Sequence, residues 1–124
     1  MTKILVVDDS GLARRATRKI LENAGFEVCE AEDGLTALER YYLEKPSLVL
    51  LDVTMKDMNG IEVLKRLREM DGAAIVIIVT ADVQTSTQEM AKSGGASGFV
   101  TKPISPESLL SCVYTALERE APCN

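Results

Sequence analysis

The chain has 124 residues, of which 46% are hydrophobic and 27% charged, a balance typical of one soluble globular domain. The formal net charge of -5 argues against non-specific binding to nucleic acid. The absence of histidine excludes histidine-based acid–base catalysis by this chain and disfavours a zinc site.

The cysteines and the apolar runs indicate in which cellular compartment the protein is found. Cys29, Cys112 and Cys123 form an odd set without a CxxC spacing, which favours free thiols in a reducing cytoplasm. The first apolar run is too short for a signal peptide, and no run approaches the ~18 residues of a membrane span. We therefore expect a cytoplasmic protein with no membrane segment.

The chain begins with a predicted strand and helix. The run ILVV at 4–7 predicts a buried strand, and Ser10 is suited to cap a helix that continues to about Ala24 and ends at Gly25. The helical spacing predicts a core-facing stripe on this helix of Ala13, Ala16, Ile20, Leu21 and Ala24.

A second strand and helix follow. EVCE at 27–30 is short, so we expect a strand nearer the edge of a sheet. Asp33 caps the next helix, which ends before Pro46 because the residue before a proline disfavours helical geometry. The apolar pattern of this helix consists of Leu35, Leu38 and Tyr42.

The central strand has an unusual end. LVLL at 48–51 is unbroken, which is typical of a strand buried on both faces of a parallel sheet, yet it continues directly into Asp52. Asn59 starts the third helix, which ends near Gly72. Its predicted inner face consists of Ile61, Leu64, Leu67 and Arg68.

The last part of the chain repeats the alternation. AIVIIV at 74–79 predicts a buried strand, 84–93 a weaker helix, and GFVT at 98–101 a second strand near an edge. Pro106 lies in the first turn of the fifth helix. The inward residues of that helix are Leu109, Leu110, Val113 and Leu117.

The alternation predicts an α/β fold of the (βα)5 type. Because crossovers between parallel strands are right-handed, the parallel sheet should lie between two helix layers. In such open sheets functional groups collect beyond the carboxyl ends of the strands. Each apolar run ends there in a polar group, namely Asp8 and Asp9, Asp52, Thr80 and Lys102.

Three carboxylates that meet in one pocket repel each other, so bound protons or a cation must offset the repulsion. Hard oxygen ligands favour Mg²⁺, with Mn²⁺ as the alternative. A metal beside a carboxylate, a lysine and a hydroxyl indicates phosphoryl chemistry. Asp52 could attack phosphorus, Lys102 could stabilise the phosphoryl oxygens, and Thr80 could donate a hydrogen bond to one of them.

The fragments VVDDS, LLDVTM, MNG, VTAD and GFVTKP, in this order and spacing, resemble the receiver domain of two-component response regulators. Each fragment alone is a weak signal, whereas the ordered set is highly specific. The resemblance implies a doubly wound, flavodoxin-like sheet in the order 2-1-3-4-5. It implies one receiver domain over 1–120 with a short tail at 121–124, and the length resembles a stand-alone receiver of the chemotaxis type.

The resemblance also implies roles for individual residues. Asp52 would be the phosphoryl acceptor, Lys102 the cation that contacts the phosphoryl group, Thr80 the switch hydroxyl, and Phe99 the aromatic switch residue. The Lys102–Pro103 peptide bond would be cis. The Mg²⁺ site would comprise Asp8, Asp9, Asp52 and the backbone carbonyl of Thr54.

The sequence departs from the family pattern at two positions. Lys56 stands where the family commonly has a proline, which leaves the shape of the following loop open. Phe99 lacks the hydroxyl of a tyrosine, so it cannot form a hydrogen bond that reports its position. Thr54 and Asp82 are positions that vary in the family and flank the site, and we expect Asp82 to affect how water or a phosphatase approaches.

The same residues could also have ordinary structural roles. Asp8, Asp9 and Asp52 could be caps, and Lys102 could be a solvated loop residue, although their shared edge argues against this. Thr80 suits any strand, and Phe99 suits any core. The basic positions on the first helix are interpreted as a solvated face: Arg14, Arg15, Arg18 and Lys19.

The functional expectation is a signalling switch rather than an enzyme that acts on a separate substrate. A histidine kinase would supply the phosphoryl group, and the surface of helix 4, strand 5 and helix 5 would contact a downstream protein target. A phosphatase is a further expected partner, and the chain would be a monomer or a phosphorylation-dependent dimer that does not bind nucleic acid directly. The alternative is a phosphorelay intermediate or phosphate sink without its own effector.

Two further classes fit the sequence less well. A phosphatase of the haloacid dehalogenase type needs a second acid two residues after the nucleophile, where this chain has Thr54. A flavodoxin needs a phosphate-binding loop after the first strand, where Asp8 and Asp9 would repel a phosphate.

Overall fold

The computed structural model describes residues 2–53, 55, 57–81 and 84–120, with only the backbone of 119 and 120. The strands are β1 (Lys3–Val7), β2 (Glu27–Ala31), β3 (Leu48–Asp52), β4 (Val76–Thr80) and β5 (Gly98–Thr101). The helices are α1 (Gly11–Asn23), α2 (Gly34–Glu44), α3 (Gly60–Met70), α4 (Thr85–Ser93) and α5 (Pro106–Glu120). The predicted alternation is confirmed, although β4 begins two residues later than the apolar run.

The five strands form one parallel sheet in the order β2-β1-β3-β4-β5, which confirms the predicted order and the edge positions of β2 and β5. Successive side chains of each strand point to opposite faces, so the sheet separates two cores. One core contains side chains of α2, α3 and α4, and the other contains side chains of α1 and α5. Burial on both faces explains why the central strands are unbroken apolar runs.

Three helices begin at the predicted caps. The side chains of Ser10, Asp33 and Asn59 accept hydrogen bonds from the first turns of α1, α2 and α3, at 3.2, 2.7 and 2.7 Å. Each cap satisfies a backbone N–H group that has no partner within its helix. The chain leaves α1 through Gly25, whose φ of 95° favours glycine.

The predicted face of α2 is wrong. Leu35 and Tyr42 are 65% and 71% exposed, whereas Ala37 and Tyr41 are buried. Apolar residues occur nearly all round this helix, so its periodicity alone does not select the inner face. Packing selects the stripe of Ala37 and Tyr41, and Leu38 at the border of the two stripes is half-buried.

The predicted face of α1 is also partly wrong. Ala16 is exposed, and the buried positions of this helix are Thr17 and Leu21. Burying the methyl group of an alanine contributes little, so the helix turns to bury the larger Leu21. The predicted inner faces of α3 and α5 agree with the structure, where Leu64 and Val113 are fully buried.

Within the described part of the chain, no helix combines the length and apolar character that a membrane crossing requires.

Candidate functional site

The strand register aligns the polar strand ends at one edge of the sheet. Val7 of β1 pairs with Leu51 of β3, so the next residues, Asp8 and Asp52, lie side by side. Thr80 at the end of β4 pairs with Thr101 of β5, which places Lys102 directly after it. The structure therefore brings together the acidic and basic side chains that the sequence predicted to meet and places Thr80 at the same edge.

Lys102 joins the two buried carboxylates. Its Nζ lies 2.9 Å from Asp8 Oδ2 and 3.3 Å from Asp52 Oδ2, and each aspartate is only 6% exposed. Burial by itself lowers the pKa of Lys102, but hydrogen bonding to Asp8 and the charges of both carboxylates raise that pKa above its ordinary value. The ammonium group therefore stays protonated and holds both acids in place.

The carboxylates of Asp8, Asp9 and Asp52 form a cluster whose ligand oxygens all lie within 4.8 Å of one another. Asp9 is exposed, which leaves the cluster open on one side. Three carboxylates and one ammonium leave an excess of two negative charges, which a divalent cation would balance. Hard oxygen donors with an open side fit Mg²⁺, which retains several waters. The predicted backbone ligand, Thr54, lies outside the described residues, as does Asp82.

The β1–α1 loop is held by Arg14, a contact that the sequence did not predict. Arg14 Nη1 donates to the backbone carbonyl of Asp8 at 2.6 Å, and its Nε donates to Glu30 Oε1 at 3.0 Å. Asp8 Oδ1 also accepts from the backbone N–H of Ser10 at 2.9 Å. These bonds fix the loop that carries the two adjacent acids.

The interpretation of α1 as a solvated basic face agrees with the structure only in part, since Arg14 and Arg18 pair with acids. Arg18 pairs with Glu22 and Glu30, and Arg14 shares Glu30 with it. The hydrogen bond from Arg18, followed by that from Arg14, lowers the pKa of Glu30. The pairing across to β2 depends on sheet packing, so the spacing of residues along α1 gave no signal for it.

The proposed switch residues lie on β4 and β5. Thr80 is fully buried, and its backbone carbonyl accepts from the N–H of Lys102 at 2.8 Å. Phe99 pairs in register with Ile78 and packs partly buried against the core beneath α2, α3 and α4. The Lys102–Pro103 bond is cis, as the resemblance implied.

The end of β3 and the residue after it lie close to Gly60, the first residue of α3. The N–H of Gly60 donates to the carbonyl of Val53 at 2.9 Å. A Cβ at Gly60 would overlap the backbone carbonyl of Asp52, so a side chain there would displace the end of β3. The MNG fragment by itself gave no signal for this close approach.

Comparison with known proteins agrees with this geometry. A family model of the response regulator receiver domain matches residues 4–114. The chain is 38% identical over 116 residues to the chemotaxis protein CheY of Bacillus subtilis, covering 93% of this chain and 97% of that protein. It is 35% identical to CheY of Thermotoga maritima, covering 90% of this chain and 93% of the relative.

Solved structures give the same result. A CheY-like receiver domain from Methanospirillum hungatei JF-1 superposes with a TM-score of 0.92 at 28% identity, over 97% of this chain and 96% of that chain. The CheX-CheY-BeF3-Mg+2 complex from Borrelia burgdorferi gives a TM-score of 0.89 at 30% identity, over 92% and 87% of the two chains. The chain therefore belongs to the receiver domain family of response regulators.

Proposed function

We propose that Asp52 accepts a phosphoryl group from the phosphohistidine of a partner kinase and that this modification switches the chain between two signalling states. The observation that carries the proposal is the Lys102 ammonium shared by Asp8 and Asp52 inside a cluster of excess negative charge. Membership in the receiver family supports the same assignment.

The transfer forms one bond and breaks one. An Asp52 oxygen attacks phosphorus, the bond between phosphorus and the donor imidazole nitrogen breaks, and its electron pair stays on the imidazole. Lys102 lies within reach of the acceptor oxygen and would donate to the transferred phosphoryl group. Asp8, Asp9, Asp52 and the Thr54 carbonyl would hold Mg²⁺, which would supply neutralising positive charge when bound.

The conformational response is proposed to run through Thr80 and Phe99. A phosphoryl group adds a charge of about -2, which attracts the Thr80 hydroxyl and Lys102. The backbone bond between Thr80 and Lys102 supports a joint movement of β4 and β5 ends. A cleft of about 230 Å³ between α4 and β5, lined in part by Phe99, gives space for the ring to change position.

The output is proposed to be protein–protein contact through α4, β5 and α5. Gln88 and Lys92 of α4 and Phe99 of β5 line one cleft, which forms part of this surface. The solved complex of CheX with CheY supports the idea that a receiver domain of this type binds another protein.

We propose a chemotaxis-type pathway because the relatives named above are chemotaxis proteins. A phosphate sink remains the alternative if no target binds.

We also propose the bounds of the domain and its location in the cell. The receiver domain is proposed to span 1–120, with 121–124 outside it, in keeping with the matched range of 4–114. A cytoplasmic location is proposed because the described cysteines, Cys29 and Cys112, form no disulfide, as expected in a reducing compartment.

Intact-protein mass spectrometry after incubation with a small phosphodonor and Mg²⁺ tests the acceptor. We expect one phosphoryl adduct on the wild type that requires Mg²⁺ and is removed by hydroxylamine, as an acyl phosphate should be. Asp52→Asn should carry no adduct, whereas Asp71→Asn, at the opposite end of the sheet, should be modified normally. An adduct that persists in Asp52→Asn would contradict the assignment.

A further inference from the structure

The β3–α3 loop, residues 53–59, is tied to the start of α2 by a carboxylate. Asp57 accepts hydrogen bonds from the backbone N–H of Gly34, at 3.0 and 3.1 Å from its two oxygens, and from that of Leu35, at 3.3 Å. These contacts join segments 23 residues apart in the chain. The backbone bond from Gly34, the largest cause, lowers the pKa of Asp57, so the anchoring group is ionised at neutral pH.

The start of α2 has its own N-cap and does not depend on Asp57 for that purpose. Asp33 accepts from the N–H of Thr36 at 2.7 Å, and its carbonyl accepts from Ala37 at 3.0 Å. Asp57 takes the two remaining N–H groups of the first turn. The positive end of the α2 dipole therefore holds a negative group that belongs to another loop.

A second contact fixes the same loop at the same place. A Cβ at Gly34 would lie 2.8 Å from Met58 Cβ and 3.2 Å from Met58 Sδ, so the absence of a side chain lets the loop approach α2. No proline occurs between Pro46 and Pro103, so no ring restricts φ in this loop. The contacts of Asp57 and Met58 with α2 therefore offset part of the entropy of ordering the end of the loop in which they lie.

We infer that Asp57 is a positioning residue for the metal site. By holding Met58 and the start of α3 against α2, it fixes the approach of Gly60, whose N–H donates to the Val53 carbonyl directly after Asp52. The inference rests on the proposed function, since it concerns Mg²⁺ at the same site. Neither the acceptor chemistry nor the acid cluster includes Asp57.

Calorimetric titration with Mg²⁺ alone, without phosphodonor, tests this role on the full chain. We expect Asp57→Ala to raise the Kd for Mg²⁺ about tenfold, the lower end of the effect typical of groups that orient metal ligands. Asp57→Asn keeps an acceptor oxygen but loses the charge, so it should retain most of the affinity. Asp33→Ala removes a cap from the same helix without touching the loop, so it should bind Mg²⁺ like the wild type.

The outcomes distinguish a role of Asp57 in positioning the loop from an effect of its charge and from an effect on the stability of α2. Unchanged affinity in Asp57→Ala would overturn the inference, as would an equal loss in Asp57→Asn or in Asp33→Ala. If Asp57→Ala does not fold, Gly34→Ala replaces it, because the added Cβ displaces Met58 while the carboxylate remains, and it should also weaken Mg²⁺ binding. A wild type that binds no Mg²⁺ would overturn the proposed function as well, whereas normal wild-type binding with an unaffected Asp57→Ala would overturn this inference alone.

Discussion

Lys102 has two opposed effects on the site, because its ammonium both stabilises the buried acids and competes with a metal for them. It lies 2.9 Å from Asp8 and 3.3 Å from Asp52, so its removal leaves two carboxylates without their cation. We expect Lys102→Ala to bind Mg²⁺ more tightly than the wild type, since the excess negative charge of the cluster increases. We also expect it to be phosphorylated about 100-fold more slowly, the typical effect of losing one donor to a developing oxyanion.

Magnesium titration and the rate of phosphoryl uptake from a small donor measure the two effects separately. Lys92→Ala is the matched control, since this exposed lysine of α4 should leave both quantities unchanged. A slower reaction accompanied by weaker Mg²⁺ binding would mean that Lys102 supports the site as a whole rather than the phosphoryl group.

Individual residues also show how far the sequence predicted the site. Asp8, Asp52 and Lys102 were predicted because they directly follow buried strands, and strand ends meet at one edge of a parallel sheet. The contacts that Arg14 and Asp57 make with partners 16 and 23 residues away in the chain were not predicted. Such contacts depend on how loops and helices pack, and no local pattern indicates them.

Among the elements, α2 packs through a face that the sequence did not predict. Its inner face is set by Tyr41, which is 9% exposed and donates from its hydroxyl to Asp71 Oδ2 at 2.7 Å. Asp71 caps the end of α3, so this bond joins the two helices. A buried tyrosine with a polar partner thus occupies the inner face instead of Leu35 and Tyr42.

Tyr41→Phe should lower the free energy of unfolding by about 1–2 kcal/mol, because a hydrogen bond to a charged group is lost. The hydrogen bond from Tyr41 lowers the pKa of Asp71, so its contribution is fully present above the unfolded pKa of an aspartate, about 3.9. The contribution disappears as pH falls through the lower folded pKa. The difference between wild type and variant should therefore be constant from pH 7 to about pH 4 and shrink below that.

Urea unfolding at several pH values measures this difference. The neighbouring Tyr42, 71% exposed, provides the control, and Tyr42→Phe should leave stability within about 0.5 kcal/mol of the wild type. Equal effects of the two substitutions would contradict the assigned inner face of α2.

In the whole molecule, the sheet order determines where charge accumulates. The order β2-β1-β3-β4-β5 places β1 beside β3, so their terminal aspartates become neighbours although they are far apart in the chain. The alternation of strands and helices predicted a parallel sheet between two helix layers, whereas the order of the strands was implied by the resemblance to receiver domains. As a result, carboxylates accumulate at this edge, and Lys102 neutralises only part of their negative charge.

Stability should therefore depend on Mg²⁺. A ligand that binds only the folded state stabilises it by about 2.7 kcal/mol at a concentration 100 times its Kd, so unfolding by urea should require more denaturant as Mg²⁺ is added. Asp9→Asn should be more stable than the wild type without metal, because one of three mutually repelling carboxylates is neutralised. The same variant should gain little from Mg²⁺.

NaCl at matched ionic strength controls for screening, and Glu62→Gln, which changes an exposed acid on α3 outside the cluster, should keep the wild-type response to Mg²⁺. If NaCl stabilised the chain as well as Mg²⁺ does, general screening would explain the effect and the acid cluster would not be a specific metal site.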